Sequence, residues 1–398
     1  MKRIDVFMPP LSQYGVLHHF TKKMHEALLA CGMNSRLLEA KKNNPAPFID
    51  AIFKDPPDCT LSFNGLLPDE QGRFFCDMIR IPHVACLVDS PNSYLPLTRS
   101  PYSIVTCADR SSVDFFRGIG FSNALFMPHA IESSLSFDPT NTREHDVVML
   151  ASCIDFEGVR ASWKHKYSSA LSEAMEEAAE IALSDQTTPY YQAFVQALDI
   201  QVNKQSGIDP KTIDFVEVLD QIEMYIRGKD RFELINAIKD AKIDLFGSAD
   251  GQASWMKCLG DKRNVVFHDP VPFEQALAIM KHSKIILNSC PWIKNGGHER
   301  IFAGIASGAL VITNENVYMR EQFKDNESIV FYQHNKWDKV NRRVNEYLES
   351  EAKREKVVEK GRKIVHEKHT WNQRAEQLCK DLPPLLEGIH QAKKDERT

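Results

Sequence analysis

The chain is 398 residues long and carries 49 lysines plus arginines against 54 aspartates plus glutamates, a formal charge of −5. That length excludes a small disulfide-stapled scaffold and predicts two or three domains, each burying its own core. So small a charge advertises neither nucleic acid nor an anionic membrane as a partner, and 43% hydrophobic with 26% charged residues describes a folded, soluble chain.

The nine cysteines stand singly, never as CxxC, which predicts reduced and mostly buried thiols in a cytoplasmic protein rather than disulfides or a zinc site. The first ten residues are broken by Asp5, Pro9 and Pro10 and do not read as a signal peptide. No stretch reaches the ~18 consecutive apolar residues of a membrane span, so no transmembrane segment is expected.

In chain order, Ile4–Met8 reads as a buried strand, followed by a loop and a helical pattern from Val16 to Cys31 that Gly32 stops. The alternation repeats: strand Cys59–Phe63, helix Asp69–Ile79, strands His83–Val88 and Ser103–Cys107, helix Ser111–Gly118, strand Ala124–Met127. Such β-α alternation predicts a parallel sheet with helices on both faces. A polar stretch then precedes the strand Asp146–Ala151, which places a boundary near residue 140. Residues 163–242 are helical, far longer than one crossover, before strands at Ile243–Gly247, Val265–Phe267, Lys284–Asn288, Ala309–Thr313 and Ser328–Tyr332. Beyond Trp337 the chain is helical, and its basic residues are interleaved with glutamates as on a solvated face. The predicted class is α/β: residues 1–140 and 141–380 as two Rossmann-like domains, 163–242 as a helical insertion in the second, and 381–398 as a C-terminal tail.

The most informative stretch runs from Ile285 to Thr313: a strand, a loop with Gly296-Gly297, a helix opening near His298, and another strand. That helix start lies at the carboxyl edge of the sheet, where open α/β sheets bind ligands. Adjacent glycines let backbone amides approach a ligand, the helix dipole favours an anion, and Arg300 can add a charge-assisted hydrogen bond to phosphate. On the residues alone, it is as consistent that the glycines only turn the chain and Arg300 pairs with a carboxylate.

The spaced elements KIILN (284–288), GGHERIFAGIASGALVIT (296–313) and REQF (320–323) resemble the donor-binding half of GT-B glycosyltransferases, specifically the CgeB-like (spore maturation protein-like) branch. GRKIVHEKHTWNQRAEQL (361–378) resembles the closing helix of that branch, and HVACLVDSPNSYLPL (83–97) with YSIVTCADRSSVDFFRGIGFSNALFMPHAI (102–131) resembles its acceptor-side domain. The resemblance implies two Rossmann-like domains facing each other across a cleft, with a nucleotide sugar held by the second and the acceptor by the first. It sets Gly297, His298, Glu299 and Arg300 beside the diphosphate and sugar, with Gly296 and Asn288 nearby. Loops after neighbouring strands contribute Ser152, Gly247 (followed by Ser248), Val271 and Phe273; for the last two, simple packing is an equal alternative. A departure stands against this. Counting back from Gly308, Ala303 and Asn295 occupy the places of the Glu-x7-Glu pair of many retaining relatives, which leaves Glu299 as the loop's carboxylate or as a cap of its own helix.

An inverting transfer needs a general base near the acceptor hydroxyl. Asp89, ending the strand His83–Val88, is the first candidate, though it can equally cap a turn. His18 and His19 open the helix after the first strand, and at most one of them points inward; His129 is a further candidate. No Asp-x-Asp and no HExxH spacing occurs, so no metal is expected and no cofactor beyond the nucleotide-sugar co-substrate. The expected activity is metal-independent transfer of a sugar to an acceptor glycan or protein, in bacterial cell-surface or protein glycosylation. The alternatives are a sugar-nucleotide epimerase and a non-catalytic scaffold. The helical insertion could shape the acceptor site or an oligomer interface.

Overall fold

The runs Cys59–Phe63, His83–Leu87 and Ser103–Cys107 are buried along their whole length, as strands covered by helices on both faces must be. They belong to the first of two units in the computed structural model, which describes residues 1–395 apart from 42, 43, 45, 205 and 248–251. The units are Met1–Ser134 with His366–Thr398, and Leu135–Val365. In the first, β1 (Arg3–Met8), β2 (Asn34–Glu39), β3 (Cys59–Phe63), β4 (His83–Leu87), β5 (Ser103–Cys107) and β6 (Ala124–Phe126) form a parallel sheet in the order β2-β1-β3-β4-β5-β6. The helices are α1 (Val16–Ala30), α2 (Ala46–Lys54), α3 (Phe75–Ile79) and α4 (Arg110–Gly118). The predicted helix from Asp69 shrinks to α3 because the Asp69 carboxylate accepts the amides of Gln71 and Arg73 at 3.0 and 2.9 Å and closes a turn there.

The second unit holds β7 (His145–Leu150), β8 (Ile243–Phe246), β9 (Val265–His268), β10 (Ser283–Asn288), β11 (Leu310–Asn314) and β12 (Val330–Tyr332), again all parallel, in the order β12-β11-β10-β7-β8-β9. Between β7 and β8 stand α5 (Phe156–Lys166), α6 (Ser169–Ser184), α7 (Tyr190–Asn203) and α8 (Phe215–Ala237). The expected insertion of 163–242 is therefore a block of helices over 156–237, in which Ala174, Ala178, Ala182, Ala193 and Ala197 are buried in α6 and α7. The remaining helices are α9 (Gln252–Leu259), α10 (Phe273–Lys281), α11 (Glu299–Ala306), α12 (Val317–Gln322), α13 (Trp337–Glu349) and α14 (Glu351–Lys368). The first boundary falls at 134/135, earlier than expected, because the segment after it is tied to the second unit. Arg143 stacks 4.4 Å from the Phe137 ring and donates to the carbonyls of Ser283 and Gly308 at 3.2 and 2.7 Å.

The expected tail at 381–398 is corrected outright. The last helix, α15 (Trp371–Asp395), belongs to the first unit and buries Leu378, Leu382, Leu386 and Ile389 at helical spacing. That stripe carries the helix through Pro383 and Pro384, a pair that by itself argues for a break. No helix among the described residues is long and apolar enough to cross a membrane.

Candidate functional site

In both sheets the strand order reverses once, between β1 and β3 and between β7 and β10, and the carboxyl ends at such a switch point are where doubly wound sheets bind ligands. In the second unit, the loop from β10 to α11 is held in place from several sides. The Asn316 amide donates to the carbonyls of Ile293 and Gly296, both at 3.1 Å, and its oxygen caps α12 at Met319 N, 2.8 Å. The buried Lys294 ammonium donates to the carbonyls of Ala182 and Asp185 at the end of α6. Gly297 is a packing glycine: a Cβ there would sit 2.4 Å from Phe302 Cζ.

His298 and Arg300 meet at the start of α11. The Arg300 guanidinium donates to the Leu150 carbonyl at the end of β7 and to His298 Nε2 at 3.0 Å, with Glu299 Oε1 at 3.4 Å from its Nε. His298 Nδ1 lies 2.7 Å from Glu299 Oε2. Because Nε2 accepts from the guanidinium, Nδ1 carries the proton and donates it to Glu299. With its proton on Nδ1, His298 cannot accept from the Arg300 amide 3.4 Å away, so that approach is not a cap.

Helix α8 brings two further cations to the same strand end. Arg231, 2% exposed, donates from Nη1 to the Ser152 carbonyl at 2.8 Å. Arg227 lies 4.6 Å over the Trp292 ring and pairs with Glu223 at 3.2 Å; the same ring is 5.8 Å from Arg231 and stands edge-on to His298 at 6.2 Å. Burial pushes the Arg231 guanidinium well below its ordinary range, and the charges of Arg227 and Arg300 push the same way against Asp230. The Nε groups of Arg227 and Arg231 are buried with no hydrogen-bond partner. Asp230, 1% exposed, sets the register of α8 by accepting from Ser289 Oγ at 2.6 Å and the Tyr332 hydroxyl at 2.5 Å, with His334 Nδ1 at 3.3 Å. The arrangement gathers three guanidinium groups at the switch point, set against the carboxylates of Glu223, Asp230 and Glu299, and guanidinium donors of this kind suit an anion.

Of the residues expected at the site, Ser152, His298, Glu299 and Arg300 come together there, and Gly296 lies in the loop leading to them. The others hold contacts of their own or lie elsewhere. Asn288 is fully buried, its amide donating to Thr313 Oγ1 at 3.0 Å and to the Cys290 sulfur at 3.2 Å, so it braces the loop from beneath. The Gly247 amide is already bonded to the His268 carbonyl at 3.1 Å. Phe273 is buried in the first turn of α10, Val271 lies half-buried in the loop before it, and Ser248 lies outside the described residues. At the places of the missing glutamate pair, Ala303 is buried within α11 and Asn295 is half-buried. Arg227, Arg231, Trp292 and Asp230 were missed in sequence; the one available signal was an aspartate at position 230 in the apolar stripe Ile222, Ile226, Leu234.

In the first unit, Asp89 is exposed and accepts from the Asn64 amide at 2.8 Å. His18 Nε2 donates to the Pro9 carbonyl at 2.9 Å, whereas His19 Nε2 lies 3.0 Å from Glu132 Oε2, with side chains only 13% and 17% exposed. His129 is buried with its ring 6.0 Å from that of Phe20. No grouping of metal-binding side chains occurs among the described residues.

Residues 230–380 match a family model described as glycosyl transferase-like, and no curated protein matches the sequence. Among solved structures, HepE of Anabaena in complex with UDP and glucose is similar at 12% identity, with a TM-score of 0.52 over 96% of this chain and 99% of that one. AviGT4, a glycosyltransferase involved in avilamycin A biosynthesis, is similar at 11% identity, with a TM-score of 0.55 over 98% and 99%. Sucrose-phosphate synthase of Thermosynechococcus elongatus is similar at 11% identity, with a TM-score of 0.54 over 98% and 100%. The fold is GT-B, two Rossmann-like units.

Proposed function

We propose that this chain is a glycosyltransferase that takes its sugar from a nucleoside diphosphate sugar and delivers it to an acceptor hydroxyl. The observation that carries the reading is the meeting of Arg227, Arg231 and Arg300 at the β7/β10 switch point, where two buried guanidinium N–H groups lack a partner. A diphosphate satisfies those donors and offsets the mutual repulsion of the three charges. The glycosyl transferase-like match over 230–380 and the complexes of HepE with UDP and with UDP-glucose support the same ligand class. Ser152, His298 and Glu299 flank the pyrophosphate and sugar in this reading. The three arginines supply the charge that stabilises the departing diphosphate, so transfer proceeds without a divalent cation, in the cytoplasm. A glycan or protein acceptor, as in the CgeB-like branch, rests on the resemblance alone.

Calorimetry with UDP, GDP and ADP tests the site. One of them binds wild type, and Arg231→Gln weakens it by about 1.5–3 kcal/mol, the worth of a lost charge-assisted contact. An unchanged Kd in that variant sinks the assignment. In turnover assays, EDTA leaves the rate unaltered; a loss restored by magnesium or manganese refutes metal independence.

A further inference from the structure

All nine cysteines are free thiols, and two of them face each other inside the second unit. Cys153 directly follows Ser152 in the loop after β7. Its thiol lies 3.2 Å from the sulfur of Cys258, in the last turn of α9 and 105 positions along the chain. The backbone on both sides of that contact is fixed. The buried Trp255 indole, one turn before Cys258, donates to the Ala151 carbonyl at 3.0 Å, and the Cys153 sulfur also lies 3.4 Å from the Ser254 carbonyl. Helix α9 is therefore fastened to the strand end at neighbouring points, and the sulfurs meet through backbone packing, not through the swing of two loose side chains. Both are half-buried, which leaves them within reach of a small solute. Burial first, and then the adjoining Cys258 sulfur, push the Cys153 thiol up to about 12, so it is a weak first nucleophile. Another pair, Cys31 and Cys379, is wider at 3.7 Å and joins the end of α1 to α15 in the first unit.

We propose that Cys153 and Cys258 form a redox-reversible staple, oxidised by a low-molecular-weight disulfide such as glutathione disulfide, that ties the loop after β7 to α9. The Cys258 thiolate attacks one sulfur of the external disulfide, whose S–S bond breaks, and one external thiolate leaves with the electron pair. Cys153 then gives its proton to solvent, and its sulfur displaces the second external thiolate from Cys258. Two protein thiols are oxidised to one disulfide, and one external disulfide is reduced to two thiols. The ring so closed runs from 153 to 258 and encloses the whole α5–α8 block, Arg227 and Arg231 included, together with β8. Closing so long a loop restricts the unfolded chain far more than the folded one, so the oxidised second unit resists unfolding. The staple concerns the sulfurs and the fold of one unit, and it stands whether or not a nucleotide sugar is the donor.

The test treats the full chain with glutathione disulfide and then with dithiothreitol, for wild type, Cys153→Ser and Cys258→Ser. At each stage the thiols are mapped by mass, and thermal unfolding of the second unit is followed by hydrogen exchange in β7–β12. Wild type should lose two of its nine thiols and two hydrogens of mass, with the peptides of Cys153 and Cys258 linked. The melting temperature of that unit should rise by about 5 °C or more, and dithiothreitol should reverse both changes. Cys153→Ser should instead trap glutathione on Cys258, whereas in Cys258→Ser the remaining thiol should react at least about tenfold more slowly. Neither variant should gain stability on oxidation. Nine free thiols after oxidation, glutathione retained on wild-type Cys258, or a disulfide mapped only to Cys31 and Cys379 overturns the proposal. So does a Cys153–Cys258 disulfide that leaves the melting temperature unchanged or lowers it, because such a bond does not staple the unit.

Discussion

His83 and His369 show what burial does to a single residue of the first unit. His83 is enclosed between the hydroxyls of Thr60 and Ser62 at 2.8 and 2.9 Å, and burial pushes it down to about 3. His369 is pushed to about 3 by burial and then by Arg374, whose guanidinium donates to its Nδ1 at 3.0 Å. Both are neutral in the fold and titrate near 6.5 when unfolded, so their contribution is complete above pH 6.5 and is lost as pH falls toward 3. Between pH 7.5 and 5.0 each should remove about 2 kcal/mol from the unfolding free energy. Urea melts at the two values check this, and His83→Gln should lose less on acidification than wild type. The same scale explains what the sequence hid. Arg300 and His298 were legible because they sit in a glycine-marked loop at a strand end. Arg231 and Glu132 were not, since a helical arginine and a linker glutamate read as solvated until the tertiary fold sets them beside Ser152 and His19.

Among the elements, α11 decides the shape of the candidate site, and two glycines let it sit where it does. A Cβ at Gly304 would meet Val311 Cγ2 at 2.8 Å and Ile286 Cγ1 at 3.5 Å, so α11 lies close on β10 and β11. Gly304→Ala gains about 1 kcal/mol in helix propensity but overpacks a full contact, which costs roughly 1–3 kcal/mol. The net expectation is lower stability. Gly297→Ala should cost at least as much, because no propensity gain offsets its clash with Phe302; pairing it with Phe302→Leu should recover part of the loss in melting temperature. Most strands of both sheets were legible as short apolar runs, buried throughout in β3, β4, β5, β8, β11 and β12. β2 was not, being a half-exposed edge strand, and neither was the short α12, which exists because Asn316 caps it while holding the site loop. The α5–α8 block read correctly as helical, but its role did not, since periodicity marks a buried face without saying what that face meets.

At the scale of the whole molecule, the chain leaves its first unit at Ser134 and returns at His366, and that return was the largest thing the sequence concealed. Interleaved charges suggested a solvated face and the last residues read as a tail, whereas the decisive residue is Trp371. It is 2% exposed, its ring centroid lies 5.1 Å from Phe20 and 5.7 Å from Phe63, and its amide bonds to Ile131. The core between α1 and β3 is therefore closed by a residue more than 300 positions away from either. Trp371→Ala should cost about 3–5 kcal/mol, the range for emptying a large aromatic from a core. Because each unit has its own core, the loss should fall on one of them. Hydrogen exchange should speed up through β1–β6 and α1 while β7–β12 keep wild-type protection, and nucleotide affinity in the second unit should hold. Uniform loss of protection across both sheets would mean that the two units fold as one.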